Sequence, residues 1–159
     1  MTVDSDADTF RPISTLALRE ALPHRPPMVW IDEVTSLHTQ GGECALTVQA
    51  GALYLGPAGL RRSSLIELMA QAYGFVRAAR ALTGTIAAAE QAPKRAFLAA
   101  IQNAEFFRSE SAASLQPGAR LRVTVEGERQ LGPITMFTAQ VRSSSDQVLA
   151  SARLKVFAE

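Results

Sequence analysis

The most informative segment of this chain reads Ser63-Ser64-Leu65-Ile66-Glu67-Leu68-Met69-Ala70-Gln71-Ala72-Tyr73-Gly74. Apolar residues recur at helical spacing through it and beyond, namely Leu65, Leu68, Met69, Ala72, Val76 and Ala79. This period predicts one helix from about residue 62 to 82 with a core-facing side. The other sides carry small residues instead of a charged stripe, so we expect a helix that is enclosed all round.

Glu67 and Gln71 stand four residues apart in this helix and therefore share one face. We expect Glu67 to be a mostly buried carboxylate beside an amide. Burial among apolar side chains raises the pKa of a carboxylic acid, which could then stay protonated and donate its proton. The alternative is a structural carboxylate that pairs with an arginine or caps a loop.

The remaining sequence predicts strands around the helix. Ser14 can cap a short helix at 15–22, and strands are predicted at 28–37, 43–50, 95–107, 119–131, 134–142 and 148–157. One long apolar helix among antiparallel strands is typical of the α+β class. We expect a hot-dog fold, a curved antiparallel sheet wrapped around the central helix, which generally pairs edge to edge into a dimer. Residues 14–159 form this single domain, after a flexible tail at 1–13.

Composition excludes several classes of function. The chain has 159 residues, of which 47% are hydrophobic, and its net charge of +1 gives no reason to expect nucleic acid or an anionic membrane as partner. A single cysteine, Cys44, fits a reducing compartment, and two histidines with one cysteine do not make a metal site. No apolar run approaches the roughly 18 residues of a membrane span, and no signal peptide is evident. We expect a cytoplasmic protein.

Three motifs occur in order along the chain. They are Leu22-Pro23-His24-Arg25-Pro26-Pro27, then Leu65-Ile66-Glu67-Leu68-Met69-Ala70-Gln71-Ala72, and then Phe97-Leu98-Ala99-Ala100-Ile101-Gln102-Asn103-Ala104-Glu105-Phe106 followed by Gln116-Pro117-Gly118. Together they resemble the bacterial 3-hydroxyacyl-[acyl-carrier-protein] dehydratases, collinearly from about residue 16 to 157. The segment Leu53-Tyr54-Leu55-Gly56-Pro57-Ala58-Gly59-Leu60 is similar to that of the aryl-polyene-type branch.

The resemblance implies a reaction and a partner. A dehydratase of this kind removes water from a 3-hydroxyacyl thioester to give the trans-2-enoyl thioester, in a fatty-acid or polyene type pathway. The substrate is carried on the phosphopantetheine arm of acyl carrier protein, and no further cofactor is implied. Glu67 matches the acidic residue of the central-helix motif.

One departure concerns the usual catalytic histidine. Mainstream dehydratases carry it in a His-Phe-Pro-Gly motif before the central helix, whereas residues 52–60 contain no histidine. His24 is the candidate substitute, because the family's Leu-Pro-His segment lies close to the acyl tunnel. The alternative is a histidine that packs at a helix–strand joint. His38 stands in a polar turn, where we expect exposure to solvent.

Five further residues are candidates for substrate binding. Gln71 could orient Glu67 or bind the pantetheine arm, or be an amide at a dimer contact. Gly56 and Gly59 could present N–H donors to the thioester oxygen, or only form a turn. Arg61 and Arg62 could dock the carrier protein or its phosphate, or be solvated charges.

Three functions stay open from the residues alone. The preferred one is an active dehydratase, with Glu67 and His24 as an acid–base pair across a dimer interface. A hot-dog thioesterase would need only one carboxylate to activate water. A non-catalytic or half-site subunit, paired with a histidine-bearing paralogue, is the runner-up because the usual histidine is absent. The sequence leaves open the acyl chain length, carrier protein against coenzyme A, and homodimer against mixed assembly.

Overall fold

The computed structural model describes residues 10–84, 95–108 and 115–158. Its helices are α1 (Thr15–Leu18), which continues into a 3-10 turn at Arg19–Ala21, and α2 (Arg62–Thr83). Its strands are β1 (Ile13–Ser14), β2 (Glu33–His38), β3 (Gly41–Thr47), β4 (Leu55–Gly56), β5 (Gly59–Leu60), β6 (Ala96–Phe106), β7 (Arg120–Leu131), β8 (Ile134–Ser143) and β9 (Val148–Ala158).

Helix α2 confirms the predicted central helix. The six apolar residues that recur at helical spacing are all buried, each at most 3% exposed: Leu65, Leu68, Met69, Ala72, Val76 and Ala79. The helix ends at Gly84, whose φ of 71° lies in the left-handed region that glycine adopts without strain. The N–H of Gly84 donates to the carbonyls of Ala81 and Arg80 and so satisfies the last turn.

Seven strands form one antiparallel sheet in the order β1-β2-β3-β7-β8-β9-β6. Alternate residues of β7 and β8 are buried, as expected for strands with one face on a core. Helix α2 contacts β2, β3, β7, β8 and β9, which are consecutive in the sheet. Five strands span roughly 19 Å, and a helix is about 10 Å wide, so the sheet must curve around α2 to reach it.

The long strands β6 to β9 begin and end within one residue of the predicted bounds. The predicted strand at 28–37 is wrong in its first half, because β2 begins only at Glu33. The backbone of residues 28–30 bonds to α2 instead of to a neighbouring strand. Trp30 N–H donates to the side chain of Gln71, and Met28 C=O accepts a hydrogen bond from the same side chain. The predicted helix at 15–22 stops as an α-helix at Leu18, although its cap is confirmed, since Ser14 Oγ accepts from Ala17 N–H.

The ordered domain begins before Ser14. Phe10 and Ile13 pack against the core, and Ile13 pairs with Val34 in the sheet. The predicted tail at 1–13 is therefore too long at its C-terminal end. Residues 1–9 of that tail lie outside the described part of the chain, and so do residues 85–93 of the loop predicted after α2.

Cys44 is buried in β3, and burial raises the pKa of its thiol, which fits the small apolar role expected of it. Among the described residues, none of the helices is long and apolar enough to cross a membrane.

Among the described residues, strand β6 is a free edge of the sheet, opposite the edge formed by β1. Within that part of the chain it is hydrogen-bonded to β9 alone, and most of its residues are exposed. Phe97, Leu98 and Ile101 are among them, at 54%, 40% and 47% exposed. A long edge strand with exposed apolar side chains offers unpaired backbone groups to another chain.

Candidate active site

His24 and Glu67 meet at the surface of helix α2. His24 Nε2 lies 3.4 Å from Glu67 Oε1, and each side chain is 34% exposed. Both residues belong to one chain, so the expectation that they pair across a dimer interface is corrected. Glu67 is also less buried than the sequence predicted, because the helix face that carries it borders a cavity instead of packed side chains.

Gln71 holds the carboxylate of Glu67 in place. Its Nε2 donates to Glu67 Oε1 at 3.0 Å and to Met28 C=O at 2.8 Å, and its Oε1 accepts from Trp30 N–H at 3.0 Å. Because Gln71 is only 1% exposed and its amide is fully bonded, the structure favours the orienting role over contact with a pantetheine arm.

The pKa of Glu67 is lowered, whereas the sequence predicted that burial would raise it. The hydrogen bond from His24 is the largest cause, and the bond from Gln71 and the charge of His24 act in the same direction; burial opposes them. Donors on a carboxylate stabilise its ionised form, and here they outweigh partial desolvation. Both donors lie on Oε1, and within the described residues Oε2 has no hydrogen bond. Glu67 is therefore an ionised carboxylate with one free oxygen.

The segment that carries His24 is held by its neighbour Arg25. One guanidinium nitrogen of Arg25, Nη1, donates to the carbonyls of Leu22 at 2.6 Å and His24 at 2.9 Å. It also lies 3.4 Å from the carbonyl of Arg19. Sequence reasoning missed this role, although Arg25 stands inside the Leu22–Pro27 motif. A charged donor that closes the segment onto itself fixes the backbone on which the imidazole is mounted.

A cavity of about 260 Å³ runs along α2 from this pair. Glu67, Ala70, Gly74 and Arg77 line it, and they are spaced so that they share one helix face. The facing wall includes Leu98 of β6 and Val156 of β9. A Cβ added at Gly74 would meet no atom within 4 Å, so the absent side chain leaves open volume. Ten residues from Glu67 to Arg77 correspond to about 15 Å of helix.

Two buried arginines, Arg77 and Arg80, lie in the C-terminal half of α2, and Arg77 lines this cavity. Arg77 donates to the hydroxyl of Tyr73 and to Glu128, each at 3.3 Å, and Arg80 donates to Glu128 at 2.8 Å. The Tyr73 ring stacks on Phe137 with centroids 4.5 Å apart. This cluster was not predicted from the sequence, although two arginines three residues apart in an otherwise charge-poor helix were a visible signal.

The four other predicted binding residues lie elsewhere. Gly56 and Gly59 pair across the short β4–β5 hairpin, and a Cβ at Gly59 would lie 2.5 Å from the carbonyl oxygen of Leu115, so close approach and a φ of 102° require glycine there. Arg61 and Arg62 are exposed at the start of α2, and Arg62 lies about 140° around the helix from Glu67. None of these residues lines the described part of the cavity.

The described residues contain no group of three or more His, Cys, Asp or Glu side chains placed to hold a metal ion. His38 is exposed at the end of β2, as predicted. The chemistry available at this site is therefore that of a carboxylate and an imidazole in contact, in the wall of a cavity with a largely apolar lining.

The sequence model of one protein family, described as ApeP-like (ApeP dehydratase), matches residues 16–159. The chain belongs to the ApeP-like dehydratase family. This membership confirms the resemblance to dehydratases of the aryl-polyene branch. A comparison with curated proteins finds no match.

Solved structures confirm the hot-dog fold for this ApeP-like chain. The dehydratase heterocomplex ApeI:P from Xenorhabdus doucetiae aligns with a TM-score of 0.72 at 21% identity, over 89% of this chain and 90% of that one. The smu.793 protein of Streptococcus mutans, bound to acetyl CoA, aligns with a TM-score of 0.61 at 13% identity, over 87% and 95%. The PaaI protein of E. coli aligns with a TM-score of 0.57 at 16% identity, over 78% and 80%. Family and fold together place the chain among hot-dog proteins of the ApeP-like dehydratase family.

Proposed function

We propose that this protein removes water from a 3-hydroxyacyl thioester, carried by acyl carrier protein, to form the trans-2-enoyl thioester. The observation that carries the proposal is the contact of 3.4 Å between His24 and Glu67, which both line the cavity along α2. It supplies an acid and a base within reach of one substrate, which is what elimination of water requires. Membership in the ApeP-like dehydratase family supports the same reaction.

The roles of the two residues follow from the ionised state of Glu67. Oε2 of Glu67 takes the proton from C2, the electron pair forms the C2–C3 double bond, and the C3–O bond breaks. Protonated His24 donates its proton to the departing hydroxyl, which leaves as water. Return of the C2 proton from the carboxyl group to His24, its hydrogen-bond partner, restores the starting pair. The carboxylate is the base in this scheme, the reverse of the role expected from burial alone.

The acyl chain occupies the cavity beside α2. Its carbonyl end lies at Glu67 and His24, and the chain extends past Ala70 and Gly74 toward Arg77. A largely apolar lining favours the hydrocarbon part of such a substrate, since burial of apolar surface is stabilising.

A second hot-dog subunit covers the free edge of β6. Leu98 of this strand lines the cavity, so a partner strand placed there also completes the surroundings of the substrate. The ApeI:P relative is a heterocomplex, which supports a mixed assembly as well as a homodimer. In either assembly the pair of His24 and Glu67 is complete within one chain.

Mass spectrometry of 3-hydroxyacyl-carrier protein incubated with the purified protein tests the proposal. We expect loss of water from the acyl group with wild type, and a rate lower by roughly a hundredfold or more in Glu67→Gln and in His24→Asn. Glu126→Gln and His38→Asn, which change exposed residues outside the cavity, are the matched controls and should retain the wild-type rate.

Other outcomes of the same assay would assign a different function. Release of free carrier thiol without a 2-enoyl product indicates a thioesterase, in which the free oxygen of Glu67 activates water. An inert protein that becomes active only with a histidine-bearing hot-dog partner indicates a half-site subunit. Either result would remove the proposed role of His24 as the acid.

A further inference from the structure

His24 borders a second cavity in addition to the one along α2. This groove, also about 260 Å³, is lined by Thr15, Leu16, Arg19, Leu22, Pro26 and Val29 together with His24. Of the residues that the structure describes, His24 alone lines both cavities. A molecule whose reacting carbon lies beside His24 and Glu67 can therefore extend into both spaces.

A carrier-bound thioester has two long parts that leave its carbonyl in different directions. On the proposed function, the acyl chain fills the cavity along α2, whose lining includes the buried Arg77. The pantetheine arm then needs a second path from the thioester to the surface. The groove on α1 adjoins the pair at His24, which lines both spaces, and its lining includes Leu16, which is 77% exposed.

The charges around this groove favour an anionic end on the arm. Arg19 is exposed and forms no side-chain hydrogen bond or ion pair among the described residues. The neighbouring Arg25 differs, because its guanidinium is bound to the carbonyls of Leu22 and His24. The nearest acid in sequence, Glu20, is exposed and makes no ion pair with either arginine. Arg19 is thus a cation at the groove whose charge is available to a phosphate.

We infer that the groove between α1 and Val29 receives the phosphopantetheine arm of acyl carrier protein, with its phosphate bound by Arg19. This inference rests on the proposed function for the direction of the acyl chain. It replaces Arg61 and Arg62, which lie away from the cavity, as the site for the phosphate. The substrate enters past Leu16 and Arg19, and its thioester stops at His24.

Kinetics with whole and truncated substrates test the inference. The variants are Arg19→Gln and Leu16→Asp, which remove a positive charge from the groove or add a negative one. The substrates are 3-hydroxyacyl-carrier protein and the same acyl group on N-acetylcysteamine, which lacks the phosphate and most of the arm. We expect a KM for the carrier substrate that is roughly fivefold higher in each variant, with kcat unchanged. We expect kcat/KM for the truncated thioester to equal that of wild type.

Two further arginine variants complete the design. Arg129→Gln removes an exposed arginine of β7 outside both cavities and should behave as wild type with either substrate. A raised KM in Arg62→Gln but not in Arg19→Gln would overturn the inference. So would an unchanged KM in both groove variants, or an equal loss with the truncated thioester, which would mean that they disturb the chemistry instead of the arm.

Binding to holo and apo carrier protein separates this inference from the proposed function, because it needs no turnover. Wild type should bind the holo form, which bears the arm, more tightly than the apo form, and Arg19→Gln should reduce that difference. Equal binding of the holo and apo forms would overturn the assignment of the groove to the phosphopantetheine arm, even if the protein is an active dehydratase. An Arg19-dependent KM for acyl-coenzyme A, without preference for holo carrier protein, overturns the carrier protein as the source of the arm.

Discussion

The side-chain amide of Gln71 donates a hydrogen bond of 3.0 Å to the carboxylate of Glu67, one helical turn earlier. The same amide bonds to two backbone groups of the irregular segment that precedes β2, Trp30 N–H and Met28 C=O. Gln71 therefore links the carboxylate of Glu67 to residues 28–30, which it attaches to α2.

Gln71→Leu should damage both functions of the amide. The variant leaves Trp30 N–H and Met28 C=O without partners, and we expect the free energy of unfolding to fall by about 2–4 kcal/mol in chemical denaturation. Gln130→Leu, which alters an exposed amide of β7, is the control and should change it by less than about 0.5 kcal/mol. Equal stability of the two variants would contradict the bonding role.

The rate of dehydration should fall at low pH because Glu67 must be ionised to act as base. The hydrogen bond from His24 lowers its pKa, so the acid limb of kcat/KM should lie below about pH 4.3, where an ordinary glutamate titrates. A carboxylate with a lowered pKa stays ionised as the pH falls past the ordinary value for glutamate. The rate should therefore fall only at a pH below that ordinary value. His24 and Gln71 are the polar side chains that contact Glu67.

Circular dichroism at each pH provides the control for unfolding in this experiment. Gln71→Leu should move the acid limb to higher pH, since one of the donors that lowers the pKa of Glu67 is lost. A rate that rises as pH falls through this range would identify Glu67 as the acid and reverse the roles of the pair.

Gly74→Leu should shorten the acyl chain that the protein accepts. The new side chain enters open volume in the cavity, so kcat/KM for a 3-hydroxydecanoyl thioester should fall by roughly tenfold or more, while that for 3-hydroxybutanoyl stays close to wild type. Thermal stability should rise, because leucine favours a helix over glycine by about 0.8 kcal/mol. An equal loss with both substrates would place the acyl chain elsewhere.

Glu128→Gln should be strongly destabilising. Glu128 is 11% exposed and is the carboxylate shared by Arg77 and Arg80, so its loss leaves buried positive charge without that partner. We expect the free energy of unfolding to fall by about 3–5 kcal/mol.

Asp146→Asn offers a matched control for this prediction. Asp146 also pairs with two arginines, Arg122 and Arg142, but it is 67% exposed. Exposed ion pairs contribute about 0–1 kcal/mol because water screens them. The free energy of unfolding of Asp146→Asn should therefore stay close to that of wild type. A similar decrease in the free energy of unfolding in Glu128→Gln and Asp146→Asn would mean that burial does not determine how much each ion-pair network stabilises the fold.

Ile101→Lys should separate the subunits. The substitution places a charge on the free edge strand β6, where a partner strand would pair, and we expect a monomer in analytical ultracentrifugation together with reduced activity. Leu131→Lys, at the 74% exposed end of β7, should leave the assembly unchanged. An Ile101→Lys variant with the wild-type mass would exclude β6 as the interface.

Features that depend on local pattern could be predicted from the sequence. The bounds of α2 follow from the spacing of Leu65 to Ala79, and those of β6 to β9 follow from alternation between turn residues. The cap at Ser14 and the exposure of His38 are equally local. Glu67 and Gln71 were identified as neighbours because helical geometry alone brings residues four apart together.

Contacts between distant segments were decided by the tertiary structure. The path of the chain after α1 brings His24 onto Glu67 within one subunit, and the resulting hydrogen bond reverses the pKa shift that burial alone predicts. The same path creates the groove at Arg19 and leaves Gly56, Gly59, Arg61 and Arg62 away from the cavity. Periodicity specifies which face of an element is buried, but it contains no information about which partner that face meets. The direction of a pKa shift depends on that partner.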